Sequence, residues 1–463
     1  MREALADPQL LSDTLAGDSW SAWRALLIAA MGEPLDDAER AIFKKFTGRE
    51  RAPGQRVEEF VAVKGRRSGG SRSTSVLATY IGGLCEHPAL APGERGVLLC
   101  VAADQRQADV VLDYTEANFR GSPVLNQLIE ARTARELRLT NNIDIEVRAA
   151  DYRRLRGLTY IAVIADEVAF WLNENSSNPD DEILNAVRPG LATTSGPLFM
   201  ISSPYARRGE LWRTYNKHFG PDGDPLILVA KGSSRDFNPT LPQSVVDRAL
   251  ERDASAASAE YLAEFRRDIE GFVSIEGVKA CISTGVYERA YQRGITYSGF
   301  VDPSGGSADS FSLCIGHMNY GKQTVIVDLI REVTPPFSPE QVCADFARTL
   351  KNYSISSISG DRFAGIWPVE QFRKFNIRYE QSAEPKSDLY QSLLPLINSR
   401  RIDLLDHPKL INQLCALERR TARGGRDSID HPLGGHDDLC NAVAGFASIN
   451  DHCGGFGHNS FIV

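Results

Sequence analysis

Three acidic positions far apart in the last third of the chain have residue types and placement suited to binding divalent metal: Asp302 in YSGFVDPSGG, Asp361 in SISGDRFAG and the pair Asp437-Asp438 in GGHDDLCNA. Each falls where a strand or helix presents a carboxylate at its end. Cutting a phosphodiester with two metal ions about 3.5–4 Å apart needs several carboxylates converging from different elements, one metal activating water and the other stabilising the leaving oxygen. A lone strand-end Asp is commonly a turn or cap residue. Four in this order read as one metal-binding edge, with Asp309 in the turn GGSADS beside it. His431 and His436 are the histidines nearest this edge, and they read as hydrogen-bonding partners rather than ligands.

The first half carries a different chemistry. The apolar strand FVAV runs into Lys64, Gly65, Arg66, Arg67, Ser68, Gly69, Gly70, Ser71, Arg72, Ser73 and Thr74, and SVLATYIGGL continues as a helix. A phosphate-binding loop needs glycines so that backbone N–H groups turn inward, a cation for the phosphate charge, and a hydroxyl for magnesium at the helix start. Here the expected lysine is missing. With Gly69 as the final loop glycine, Gly70 takes the lysine position and Ser71 the magnesium hydroxyl. With Gly65 and Gly70 as the spaced glycines, Ser71 and Arg72 take those positions, which is chemically worse. The first register is preferred, with Lys64, Arg66, Arg67 or Arg72 supplying the charge. Further on, YIAVIAD ends in Asp166-Glu167, the composition of a Walker B strand. In that reading Asp166 holds magnesium and Glu167 orients the water that attacks the γ-phosphate. The next apolar strand ends in Ser202-Ser203-Pro204, placed to sense the γ-phosphate.

The elements that must position these residues follow from pattern. Runs of strand length, FVAV (60–63), VLLCVAA (97–103), YIAVIAD (160–166), PLFMIS (197–202) and LILVA (226–230), alternate with helical patterns. Such runs predict a mainly parallel sheet covered on both faces, with ligands at the carboxyl ends of its strands. The segment VVDRALERDASAASAEYLAEFRRD predicts helix, and GFVSIEGVKACISTG a connection. Three strands then follow in meander, TYSGFVDPS, SFSLCIGHM and QTVIVDLIREV, the last two turning around Asn319-Tyr320-Gly321. Alternating helix and strand after them is the order of a ribonuclease H-like fold. The expected class is α/β, with an ATPase domain over 1–235, a helical lid or linker over 236–290 and a nuclease domain over 291–463. A chain of 463 residues exceeds the size of one hydrophobic core, in keeping with several domains.

Apolar residues at 42% and charged residues at 24% are ordinary for a globular protein, and the net charge of −8 argues against coating nucleic acid with the whole surface. No apolar stretch reaches the roughly 18–20 residues of a membrane span, and MREALADPQL lacks a signal-peptide pattern, so a cytoplasmic protein is expected. Eight cysteines without a C-x-x-C pair read as reduced core thiols.

Together these strings resemble the large terminase subunit of tailed bacteriophages: KGRRSGGS, AADQRQAD, RGLTYIAVIADEVAFW, ISSPYARRGELW, YLAEF, FVDPSGG, GDRFAG and SIDHPLGGHDDLCNAVAG, spread over nearly the whole length. The resemblance implies ATP hydrolysis coupled to translocation of double-stranded DNA, and metal-dependent cutting of concatemeric genomes with Mg2+ or, in the nuclease site, Mn2+. It implies a homo-oligomeric ring, usually of five subunits, on the portal of the procapsid in the host cytoplasm, directed by a small terminase subunit; the isolated chain can still be a monomer. It makes Asp302, Asp361 and Asp438 metal ligands, with Asp437 a further ligand or a partner behind them. Arg66 becomes the loop arginine and Ser71 the magnesium hydroxyl. An arginine reaching a neighbour's ATP is sought among Arg153, Arg154, Arg156, Arg207 and Arg208. The departure is Gly70 in place of the loop lysine. Two competing readings remain: a ribonuclease H-like recombinase or transposase with an inactive ATP site, and an ATP-independent capsid or DNA-binding component with structural carboxylates.

Overall fold

The computed structural model describes residues 1–452 except 151–154, 156, 172–178, 308, 362–366, 422–426 and 433–434. The chain forms two compact units that divide between Arg267 and Asp268. That boundary falls inside the 236–290 region: its first part goes with the first unit, and residues from 268 go with the second.

The first unit is built on an eight-stranded sheet: β1 (Glu59–Lys64), β2 (Gly96–Ala102), β3 (Ile129–Thr133), β4 (Glu136–Leu139), β5 (Ile143–Ala149), β6 (Tyr160–Asp166), β7 (Leu198–Ser202) and β8 (Ile227–Gly232). Their order is β3-β4-β5-β2-β6-β7-β1-β8. Pairing is parallel from β5 to β8 and antiparallel only where β4 joins β3 and β5. The five expected apolar runs are β1, β2, β6, β7 and β8. They are apolar throughout because both faces are covered: Phe60 and Ala62 of β1 enter one core, Val61 and Val63 the other. The β3–β5 extension was not expected. Its strands mix charged and apolar residues, as in ELRL and IDIEVRA, and they pair at the margin of the sheet, where one side stays wet.

In the second unit, β9 (Ile269–Gly271) precedes a sheet of β10 (Ile282–Ser283), β11 (Tyr297–Asp302), β12 (Phe311–Asn319), β13 (Thr324–Val333), β14 (Ser357–Gly360), β15 (Arg378–Gln381) and β16 (Ile402–Leu405). The order β10-β16-β13-β12-β11-β14-β15 contains the antiparallel meander β11–β13, followed outward by parallel β14 and β15, which is the ribonuclease H-like arrangement. Two further strands, β17 (Glu418–Thr421) and β18 (Asp427–Asp430), make a small sheet with β9. The segment GFVSIEGVKACISTG, expected as a connection, instead buries Phe272, Val278 and Cys281 in the core of this unit.

The C-terminal helix Asp438–His452 lies on β11 and β12, with Leu439, Val443 and Phe446 buried. Two glycines permit that closeness. A Cβ on Gly445 of the helix would meet the Phe300 ring of β11 at 2.5 Å, and one on Gly316 of β12 would overlap Phe446. Five of the seven described cysteines are buried and none is bonded to another. Among the described residues no helix is long and apolar enough to cross a membrane. Phe300 lies two residues before Asp302 on β11, so the helix packs beside that carboxylate. Gly445→Val should cost about 1–3 kcal/mol through overpacking and lower the melting midpoint seen by circular dichroism. An unchanged midpoint would show that the helix lifts off β11 freely.

Candidate functional site

In the first unit the carboxyl ends of β1, β7 and β6 lie side by side, with β7 between the loop strand and the carboxylate strand. Gly69, at φ +82, caps the helix Gly70–Leu84, and its bare Cα admits the Trp20 ring, which a Cβ would meet at 2.5 Å. The buried indole of Trp23 donates to the Ser68 carbonyl (2.5 Å) and stacks on Phe237. Sequence reading assigned these tryptophans no role. Their only signal is a position in or beside an apolar helix, Ser21–Ala30, outside the motifs.

At the centre Lys64 Nζ donates to Glu167 Oε1 at 2.7 Å. Lys64 is 5% exposed. Glu167 has φ +52, a left-handed conformation costing roughly 1 kcal/mol for a residue with a side chain. Its carboxylate is held in compensation: Oε2 accepts from the Ser203 N–H (2.9 Å) and from Ser202 Oγ (3.3 Å). Burial opposes the charge of both partners, yet each outweighs it for the other: Lys64 is raised by Glu167 and then Asp166, and Glu167 is lowered by Lys64. Asp166 differs. Burial, then the charge of Glu167, pushes it up to about 7.

Among the described residues, Ser68 Oγ, Asp166 Oδ2 and Ser203 Oγ are buried and find no hydrogen-bond partner. Orphan polar atoms of this kind are rare in folded proteins and fit a polar ligand with a cation. A cleft of about 900 Å³ opens here, lined by Lys64, Ser68, Gly70, Ser71, Arg72 and Glu167 among others, a volume suited to a nucleotide. Of the loop arginines, Arg66 pairs with Glu260 (3.3 Å), Arg72 stacks over Trp20 (5.2 Å) and Arg67 is exposed. Arg207 lies over the Trp212 ring at 5.3 Å. Arg153, Arg154 and Arg156 lie outside the described residues.

In the second unit Asp302 ends β11, Asp361 follows β14, and Asp438 opens the C-terminal helix. The helix brings them together through Asn441, one turn on. Its Nδ2 donates to Asp361 Oδ2 (3.0 Å), and among the described residues its buried Oδ1 finds no partner. Burial raises Asp302 well above the carboxylate range, with Asp361, Asp438 and Asp437 adding repulsion. Asp438 is pushed up to about 6 by burial and then by Asp437. Crowded carboxylates such as Asp302 and Asp438, held above their ordinary pKa, are donors that a divalent cation would satisfy. Asp438 also accepts from the Ser310 N–H (3.3 Å).

Asp437 is differently placed. Lys386 Nζ lies 2.8 Å from its Oδ2, and Tyr390 Oη donates to the same oxygen at 2.7 Å. Lys386 also pairs with Asp430 (2.8 Å), so the convergence of Asp430, His431 and Asp437 already encloses an ammonium. His431 Nδ1 is 2.8 Å from the Pro432 carbonyl, and His436 lies 3.6 Å from Asp309. Sequence reading missed Lys386, Tyr390 and Asn441. The D-x-x-N spacing of Asp438 and Asn441 is a legible one-face signal, whereas nothing marks Lys386 and Tyr390 beyond their own i, i+4 spacing.

The chain is similar to phage large terminases. The large terminase of bacteriophage HK97 matches at 14% identity and a TM-score of 0.39, covering 92% of this chain and 99% of that one. The large terminase of a thermophilic bacteriophage matches at 9% and 0.41, covering 93% and 98%. The large terminase nuclease of thermophilic phage G20c matches at 14% and 0.33, covering 37% of this chain and 94% of that one. No family model and no curated protein matches. What the two clusters can do therefore follows from their own chemistry.

Removing the Lys386 ammonium leaves Asp437 buried and short of a partner. Lys386→Met should destabilise the protein by roughly 1–3 kcal/mol, and Asp437→Asn in the same chain should recover much of it. A double-mutant cycle in urea measures the coupling; additive effects would dissolve the pair.

Proposed function

We propose that this chain is a DNA-packaging motor and nuclease of the large terminase kind, with ATP hydrolysis in the first unit and metal-dependent cutting of double-stranded DNA in the second. The observation that carries this reading is the coexistence, in one chain, of a phosphate-loop cleft centred on Lys64 and Glu167 and a ribonuclease H-like edge bearing Asp302, Asp361 and Asp438.

In this reading Ser68 to Ser71 turn backbone N–H groups toward the phosphates, and the Ser71 hydroxyl and Asp166 would hold magnesium. Glu167, fixed by Ser202 and Ser203, orients the attacking water, so that strand β7 registers the state of the γ-phosphate. ATP, when bound, supplies the phosphoryl group whose hydrolysis releases the free energy for movement. In the second unit Asp302, Asp361 and Asp438 would hold Mg2+ or Mn2+, and Asn441 orients the Asp361 carboxylate. Asp437 positions the start of the helix from behind, its charge balanced by Lys386. Divalent metal, when bound, supplies an activated water and stabilises the leaving oxygen. The reading extends to a ring on the procapsid portal in the host cytoplasm, with a small terminase subunit selecting the DNA. Motor contacts fall on phosphates, because packaging must accept any sequence.

Two experiments test the two halves separately. ATP hydrolysis, measured with and without DNA and portal, should fall by about 10²–10⁴-fold in Glu167→Ala while DNA cutting persists. Hydrolysis absent under every condition, with cutting intact, would instead favour the recombinase-like reading. Asp302→Ala or chelation with EDTA should abolish plasmid cutting, and Asp302→Ala should leave hydrolysis within about twofold, since the two carboxylate sets belong to different units. Cutting that survives in Asp302→Ala makes that carboxylate structural.

A further inference from the structure

We propose that Gln413 is a positioning residue of the metal edge: its side-chain oxygen caps the C-terminal helix from a neighbouring helix, which leaves Asp437 to Lys386 and Asp438 to the divalent metal. This deepens the nuclease half of the reading above and rests on it.

The first N–H groups of a helix have no partner within it, and the residue just before the first turn ordinarily satisfies them with a short side-chain oxygen. Asp437 stands at that place, since its carbonyl accepts from the Asn441 N–H at 2.8 Å, the first bond of the helix. Its side chain is engaged elsewhere: Lys386 Nζ donates to Oδ1 (3.0 Å) and Tyr390 Oη to Oδ2 (2.7 Å). The cap comes instead from Gln413, whose Oε1 accepts from the N–H groups of Leu439 (3.1 Å) and Cys440 (3.3 Å). These are the second and third residues of the helix Asp438–His452, the two that a capping side chain normally serves.

Gln413 lies on the helix Pro408–Ala416 and is 6% exposed. Leu410 and Leu414 of that helix enter the same core as Leu439, Cys440 and Val443. Among the described residues the Gln413 Nε2 is buried and finds no partner, which costs about 1–3 kcal/mol. An amide held in a core at that cost is held for its oxygen. The Asp438 carbonyl also accepts from the Ser312 hydroxyl of β12 (2.6 Å), so the first turn is fixed at two points, one on the sheet and one on the neighbouring helix. Without the Gln413 oxygen, the carboxylate that ordinary capping geometry offers to the buried N–H groups is Asp437. Its turning inward breaks the contacts with Lys386 and Tyr390. It also shifts the turn that carries Asp438 and the Asn441 bond to Asp361 (3.0 Å).

The test is Mn2+ binding to the full-length chain without nucleotide, followed by the electron paramagnetic resonance of free Mn2+ well below the melting midpoint. Asp302→Ala marks the part of the binding that belongs to the metal edge. Gln413→Met keeps the volume and loses the acceptor, so affinity at that edge should fall about tenfold, as for loss of other groups that hold a metal ligand in place. Amide hydrogen exchange over the first turn of the helix, read by mass spectrometry, should quicken in the same variant. Gln413→Glu keeps an oxygen at the same reach and should return affinity to within about threefold of wild type and slow the exchange again. Because Gln413→Met strips two buried N–H groups of their acceptor, Gln413→Asn, one methylene shorter, serves as the gentler variant, and its binding should weaken several-fold. A lower melting midpoint with wild-type Mn2+ affinity in Gln413→Met or Gln413→Asn makes the cap merely structural and overturns the proposal. A loss of affinity that Gln413→Glu does not repair overturns it as well. Wild-type Mn2+ binding that Asp302→Ala leaves unchanged overturns the metal reading itself, and the proposal with it.

Discussion

A carboxylate moved out of water costs several kcal/mol unless a cation or several hydrogen bonds compensate for it. Both units of this protein are organised around that requirement, and they meet it in opposite ways. In the first unit Glu167 is compensated within the chain, by Lys64, Ser202 and Ser203, while its neighbour Asp166 keeps one oxygen without a partner and a pKa pushed up to about 7. In the second unit Asp437 is compensated by Lys386 and Tyr390, while Asp302 and Asp438 are left raised by burial and mutual repulsion. The carboxylates left uncompensated are the ones that the proposed function assigns to metal.

Close approach of backbone and side chain is what lets charges reach these places. Gly70 gives passage to the Lys64 stem, and Gly69 receives Trp20. Gly360, just before Asp361, lies against Tyr379, whose hydroxyl donates to the Asp361 carbonyl. Gly445 of the C-terminal helix admits Phe300 of β11, and Gly316 of β12 admits Phe446 of the helix, which seats the helix that carries Asp438 and Asn441. At each of these positions the smallest residue admits a lysine stem or an aromatic ring. Added methyl groups there should act on function through displacement as much as on stability through overpacking.

Much of the fold was legible because parallel strands covered on both faces must be apolar along their whole length. The runs at 60–63, 97–103, 160–166, 197–202 and 226–230 could hardly be anything else between helical patterns. The β3–β5 extension went unread because β4 and β5, ELRL and IDIEVRA, alternate charged and apolar residues and lack the continuous apolar runs by which the covered strands were recognised. The segment GFVSIEGVKACISTG, residues 271–285, reads as a connection because its buried residues, Phe272, Val278 and Cys281, are too sparse to show a period.

Local chemistry alone determined that there is a glycine-rich loop after β1, a carboxylate pair ending β6, and acidic positions ending β11, following β14 and opening the last helix. These follow from residue type and strand periodicity, which act over a few residues. Tertiary structure alone decided which loop cation faces Glu167, because Lys64, Arg66, Arg67 and Arg72 are equivalent as charges and differ only in what surrounds them. It likewise decided that Asp437 has Lys386 as its partner across 51 residues of chain, and that Asn441 joins Asp361 across 80. Such contacts arise from packing distant elements together, and no short-range pattern encodes them.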